Sequence, residues 1–377
     1  MSGGKDESVV TADVHADRLL ANAARASDTA RARVSGAMND LFRSPESRLT
    51  DREHATMHRM LTTLMVTLEQ QLRGHMVEGG LLDGNGQIMD ELADPDRMLA
   101  WPRLARSRVM RDPDLIRLLL RRVHEHHLSL ALRAAYPVRS PSDRRRMDEL
   151  SRHPDPAVRV EAMAFLQIES RRWDEFGEPL LDPAELPVAL QHRVFWWVAA
   201  ALRDHMCTLA SEERATADRA LVLAASALLE VADDSARSDS IALRLARDLM
   251  AIEELDDATI VGLFREGQIA LVTASLASRA RMEMETVWEM LADRDASRLT
   301  LLLRAIGMER RAGVGLLVDL FTARAGSSTA QDGRIEQTAA AFDALTIEEA
   351  LAAIKPWRPA HHFRGAIARL SLDELLS

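Results

Sequence analysis

No stretch of this chain alternates apolar and polar residues for long enough to form a half-buried strand. What recurs instead is the spacing of an amphipathic helix. Met57, Met60, Leu61, Leu64, Met65, Leu68 and Leu72 follow i, i+3, i+4, i+7 spacing and predict a helix over about 51–77. Thr50 is its expected N-cap, with Glu53 completing a capping box, and Gly79-Gly80 ends it. A helix with one apolar stripe must bury that stripe on a neighbour, so the chain is expected to pack helix on helix throughout.

Proline marks where these helices begin. Asp94-Pro95-Asp96, Asp112-Pro113-Asp114 and Pro154-Asp155-Pro156 each open an amphipathic segment. Asp accepts from free N–H groups at a helix start, and Pro is tolerated in the first turn. Further helices are expected at about 11–42, 87–93, 96–110, 113–134, 142–151, 156–170, 184–209, 212–232, 236–253 and 256–265. From 267 the joints tighten, with helices at about 267–279, 283–292, 296–306 and 309–324 and short ones over 334–376. Ser44 to Ser47 reads as a break and Asp83 to Gly86 as a turn.

The charge balance argues against one class of partner. The net charge is -10, so nothing global favours nucleic acid. Arginine carries nearly all the positive charge, the only lysines being Lys5 and Lys355. Cys207 is the only cysteine, which excludes an intrachain disulfide and a thiolate zinc site. Residues 1–10 lack the apolar core of a signal peptide and read as a frayed tail. The longest apolar run, Val194 to Leu202, is about half of the roughly 20 residues a membrane span needs. A cytoplasmic protein with no membrane insertion is expected.

A divide is expected near Pro137 to Pro141, between an N-terminal helical bundle at 11–140 and a second body at 141–377 with a mobile loop near 322–333. Ser151 to Leu166 resembles the helical hairpin of HEAT repeats, in which a proline-bearing turn leads into a Val-Arg pair, here Val158-Arg159. The resemblance implies that the valine packs between repeats and the arginine pairs with an acidic group. Leu49-Thr50-Asp51-Arg52-Glu53, followed by Leu61, Leu64, Leu68-Glu69 and Leu72-Arg73, is similar to the opening of the domain of unknown function 2336. A paired unit typical of that bacterial family resembles Leu263 to Gly267, Leu276-Ala277, Leu291 to Asp295 and Arg304 to Gly307. The family implies an all-α fold with HEAT-like hairpins stacked as an α-solenoid, and it carries no known reaction or catalytic residue.

Several clusters invite a chemical reading. His54 and His58 have the i, i+4 spacing of a helical metal pair. With Met57, Leu61, Leu64 and Leu68 inward, His54 and His75 fall on the stripe and His58 at its edge, which suits hydrogen-bonded structural histidines. His124-Glu125-His126-His127 is not a His-Glu-x-x-His motif, and periodicity points His127 inward and His126 outward. Arg121-Arg122 and Arg144-Arg145-Arg146 read as solvated faces. His205 and Cys207, two apart on a helix, point to different sides. There is no phosphate loop, dinucleotide fingerprint or nucleophile elbow.

The expectation is therefore a non-catalytic scaffold or signalling regulator that binds protein partners and has no cofactor, catalytic or metal residue. Trp196, Trp197, Arg121 and His124 are the candidate partner contacts, because exposed aromatic and arginine side chains dominate interface hot spots. Two alternatives are a phosphorelay protein accepting phosphate on His58 or His124, and a helical metalloprotein.

Overall fold

The structure is a computed structural model that describes residues 19–23, 50–80, 92, 94, 97–137, 145–209, 214–325, 329–360, 362–367 and 370. The expected tail at 1–10, the break at Ser44 to Ser47 and the turn at Asp83 to Gly86 lie outside the described residues. So do most of the helices expected at 11–42 and 87–93, and the 138–141 part of the expected divide.

The protein is all-α. Among the described residues there is no β-strand, only an isolated bridge between Trp173 and Pro179. The helices are α1 (Asp51–Glu78), α2 (Trp101–Leu104), α3 (Pro113–Ala135), α4 (Arg146–Leu150), α5 (Pro156–Ser170), α6 (Val188–Leu209), α7 (Arg214–Glu230) and α8 (Ser238–Ala251). They continue as α9 (Asp257–Arg265), α10 (Ile269–Ala280), α11 (Met284–Ala292), α12 (Ser297–Ala305), α13 (Arg310–Ala325), α14 (Thr329–Ala344) and α15 (Ile347–Ile354). Two compact units are interleaved in the chain: Val34–Val123 with Gln167–Ser240, and Met1–Arg33 with His124–Leu166 and Ile241–Ser377. The first is called the cleft unit below and the second the C-terminal unit.

The cleft unit is built on α1. Its N-terminus carries the capping box in full, Thr50 and Glu53 each accepting from the other's backbone N–H. Met57, Met60, Leu61, Leu64, Met65, Leu68 and Leu72 are all buried, against α6 and α7. The inner face of α7 is largely alanine (Ala217, Ala220, Ala224 and Ala225), and small side chains there let helices approach closely. Towards its C-terminus the buried face of α1 rotates onto Glu69, Arg73 and Met76. His75 is consequently exposed, contrary to its expected place on the stripe, because the last turns face the chain at 92–100.

Two further expectations in this unit are corrected. The helix expected at 96–110 is two short pieces, α2 and a 3-10 turn at Arg108–Arg111. Pro102 cannot sit in a helix interior but is tolerated in a first turn, so α2 starts only at Trp101, and Ser107 starts the second piece afresh by accepting from Val109 N–H at 3.3 Å. α6 begins at Val188 rather than near 184, since Pro183–Glu185 forms its own 3-10 turn.

The C-terminal unit is a run of short helices in which α9 packs on α10, α10 on α11, and α11 on α12. Helix α10 is buried almost all round, as expected of a central helix, and its Thr273 and Ser275 hydroxyls donate back to Ile269 O and Leu271 O. Four of the joints share one ending. At Glu253, Gly267, Arg281 and Gly307 the backbone turns left-handed, and the following N–H reaches back five residues, as from Gln268 to Leu263 O at 3.0 Å. Arg298 is wholly buried there, donating to both Asp293 carboxylate oxygens at 2.6 Å.

Val158 is buried on α5, but Arg159 meets no acidic group among the described residues. It donates to the carbonyls of His153 at 2.7 Å and Pro154 at 3.3 Å, holding the proline turn that starts its own helix. Of the loop expected at 322–333, residues up to Ala325 belong to α13 and those from Thr329 to α14, while 326–328 lie outside the described residues. Alanine at 323, 325 and 330 favours helix where the glycines and serines suggested a break.

Candidate functional site

The site begins with a buried ion pair on α1. Glu69 accepts from Leu99 N–H at 2.8 Å and Ala100 N–H at 2.9 Å. Arg73, 3.2 Å from Glu69, donates to Leu92 O at 2.7 Å, to Arg97 O at 2.8 Å and to Asp94 O. Two side chains thus fasten Leu92, Asp94, Arg97, Leu99 and Ala100 by their backbone groups. The next residue is Trp101, the start of α2, whose ring packs on the core and meets the exposed His58 edge-on at 5.7 Å.

This clamp sets one wall of an open cleft of about 590 Å³. Leu104, Ser107 and Val109 stand on that wall, and Trp197, Ala200 and Ala201 on α6 form the other. Trp197 and Val109 are half-buried against the core, so the floor is anchored. Ala200 and Ala201 leave the space that larger side chains would fill. Arg103 and Arg106 line the rim, and Arg103 meets Asp204 across the cleft at 2.7 Å. Both partners of that pair are largely exposed, and such surface pairs contribute about 0–1 kcal/mol.

The four candidate residues have different fates. Trp197 lines the cleft. Trp196 is not among the lining residues, but it lies one turn before Ala200 on α6 and is 39% exposed. Arg121 is buried, not solvated as expected, and makes a bidentate pair with Asp239 at 2.8 and 2.9 Å. Arg122 is buried beside it and donates to Leu180 O at 2.9 Å. Burial alone would raise the Asp239 carboxyl, but Arg121 and Arg237 hold it below the usual carboxylate range. His124 is half-buried on α3 and does not line the cleft.

Periodicity also misassigned the neighbours of His124. His126 is the buried ring and His127 is only half-buried, since α3 is enclosed on most sides through its middle turns and no single stripe decides. On α1, His54 is half-buried and His58 exposed. Among the described residues, no group of three or more His, Cys, Asp or Glu is placed to hold a metal ion, and no helix is long and apolar enough to cross a membrane. The side chain of Cys207 lies outside the described residues.

One wall of the cleft was not anticipated. Residues 97–111 hold five arginines (Arg97, Arg103, Arg106, Arg108 and Arg111) and no Asp or Glu, in a chain whose net charge is -10. That local reversal of sign is a signal the sequence carries openly.

Fold and cleft together define an all-helical protein with an arginine-rimmed groove beside an anchored tryptophan. Residues 99–355 match the family model described as an uncharacterised protein conserved in bacteria, DUF2336, and the chain belongs to that family. The match starts after the Leu49 to Arg73 stretch and extends past Gly307 to residue 355. No curated protein and no solved structure matches the chain.

Proposed function

We propose that this chain is a non-catalytic cytoplasmic protein-binding module, a scaffold or signalling regulator made of HEAT-like helical hairpins, and that it binds its partner in the Trp197 cleft. One observation carries this reading: an open cleft with an anchored aromatic floor, small residues on one wall and polar side chains at the rim. Interface hot spots favour that arrangement, in which a bulky anchor from the partner fills a pocket surrounded by polar contacts. The buried Val158 and the proline turn before α5 support the hairpin part of the reading.

Capture from native lysate tests it with a paired variant. Ala200 is exposed, so Ala200→Arg fills the cleft without entering the core. At least one protein retained by the unmodified chain is expected to be lost with Ala200→Arg at an unchanged melting temperature. Identical capture by both chains would refute binding in this cleft.

A further inference from the structure

Resting on the docking reading above, we infer that the partner segment is acidic, an extended or helical peptide that places an apolar anchor on Trp197 and carboxylates against the arginine wall. Three observations carry the charge. Residues 97–111 concentrate five arginines without an acid. Of these, Arg106 lines the rim and Arg108 is exposed between the lining residues Ser107 and Val109. Neither makes an ion pair among the described residues; the Arg106 guanidinium donates to Pro102 O, at 3.0 Å. They are cations available to a partner.

The third observation is Asp204. Its carboxylate already sits on Arg103 at 2.7 Å, from the opposite wall. It shows how this rim receives a carboxylate, and it occupies the place an incoming one would take. The pair is exposed and weak, so exchange for a partner's Asp or Glu costs little. Arginine suits this task because its planar fork accommodates a carboxylate through two parallel N–H bonds. The chain as a whole repels an acidic partner, but beyond about 8 Å that repulsion is screened at physiological ionic strength, so the local arginines decide the contact. The floor supplies the affinity and the rim the selection, the usual division between apolar anchors and charged edges.

Selection from an unbiased displayed-peptide library against the full chain, followed by titration of the recovered peptides, tests this. The expected peptides combine Asp or Glu with Leu, Phe or Trp, and Ala200→Arg abolishes their binding. The double variant Arg106→Glu, Arg108→Glu weakens them roughly tenfold or more, and added salt weakens them too. Asp204→Asn frees Arg103 and tightens them about threefold. A gain of affinity is not produced by a damaged fold. Peptides that lack acidic residues yet remain sensitive to Ala200→Arg would overturn the acidic partner and leave the docking cleft standing. Peptides indifferent to Ala200→Arg, or no recovered peptides at all, would overturn both.

Discussion

Replacing Glu69 by alanine is expected to lower the unfolding free energy by about 3–5 kcal/mol, the range for breaking a buried charge pair from one side. Glu69 is 1% exposed. The substitution removes the carboxylate 3.2 Å from Arg73 and leaves the Leu99 and Ala100 N–H groups without their acceptor. Each orphaned buried donor costs about 1–3 kcal/mol on its own. Arg73 keeps its three carbonyl acceptors, so part of the clamp survives. Glu69→Gln, which retains an acceptor oxygen but no charge, is expected to fall between the two. Chemical denaturation of the three chains checks the order. An alanine variant as stable as the parent would show that the clamp contributes nothing. The cleft should register the loss as well, because the wall from Trp101 to Val109 follows directly on the clamped segment, and peptide affinity is expected to fall with stability.

The second large effect lies in the C-terminal unit. Gly267→Ala is expected to destabilise by about 2–5 kcal/mol. The left-handed backbone at φ 73° accounts for about 1–2 kcal/mol of this. Overpacking adds about 1–3 kcal/mol, because a Cβ there would lie 2.6 Å from Ser129 Oγ and 2.8 Å from Ser129 O. The hydroxyl can rotate away, but the carbonyl belongs to α3 and cannot move alone. Ser129 Oγ also donates to Gly267 O at 2.8 Å, so this joint is held at close range from both sides. Gly307 provides the control. It ends α12 in the same conformation, φ 71°, but a Cβ there meets nothing within 4 Å. Gly307→Ala should therefore show only the backbone part, about 1–2 kcal/mol. Equal losses at the two positions would mean that close approach at Ser129 is unimportant. Neither glycine belongs to the cleft unit, so the folded variants should bind cleft peptides as the parent does.

The contrast between these elements explains what was legible beforehand. The start of α1, with Thr50 and Glu53, and the start of α5 at Pro156 could be read because capping and proline geometry are local. The apolar stripe of α1 was legible because one face of that helix meets the core through its first turns. His75, His126 and Arg121 were misjudged for a shared reason. Their burial is decided by which chain segments wrap a helix, and periodicity within that helix holds no record of them. The cleft was half legible. Trp196-Trp197 stood out by composition, and Trp197 lines the cleft. The opposite wall was not legible, because 96–110 suggests one helix whereas the chain there forms two short pieces.

Hydrogen exchange of the full chain, alone and saturated with a recovered cleft peptide, tests whether the peptide docks between these two walls. Slowed exchange is expected in two segments alone, the backbone amides from Arg103 to Val109 and those of α6 from Trp196 to Asp204, which together form the cleft. Protection absent from both segments and present elsewhere would contradict docking there.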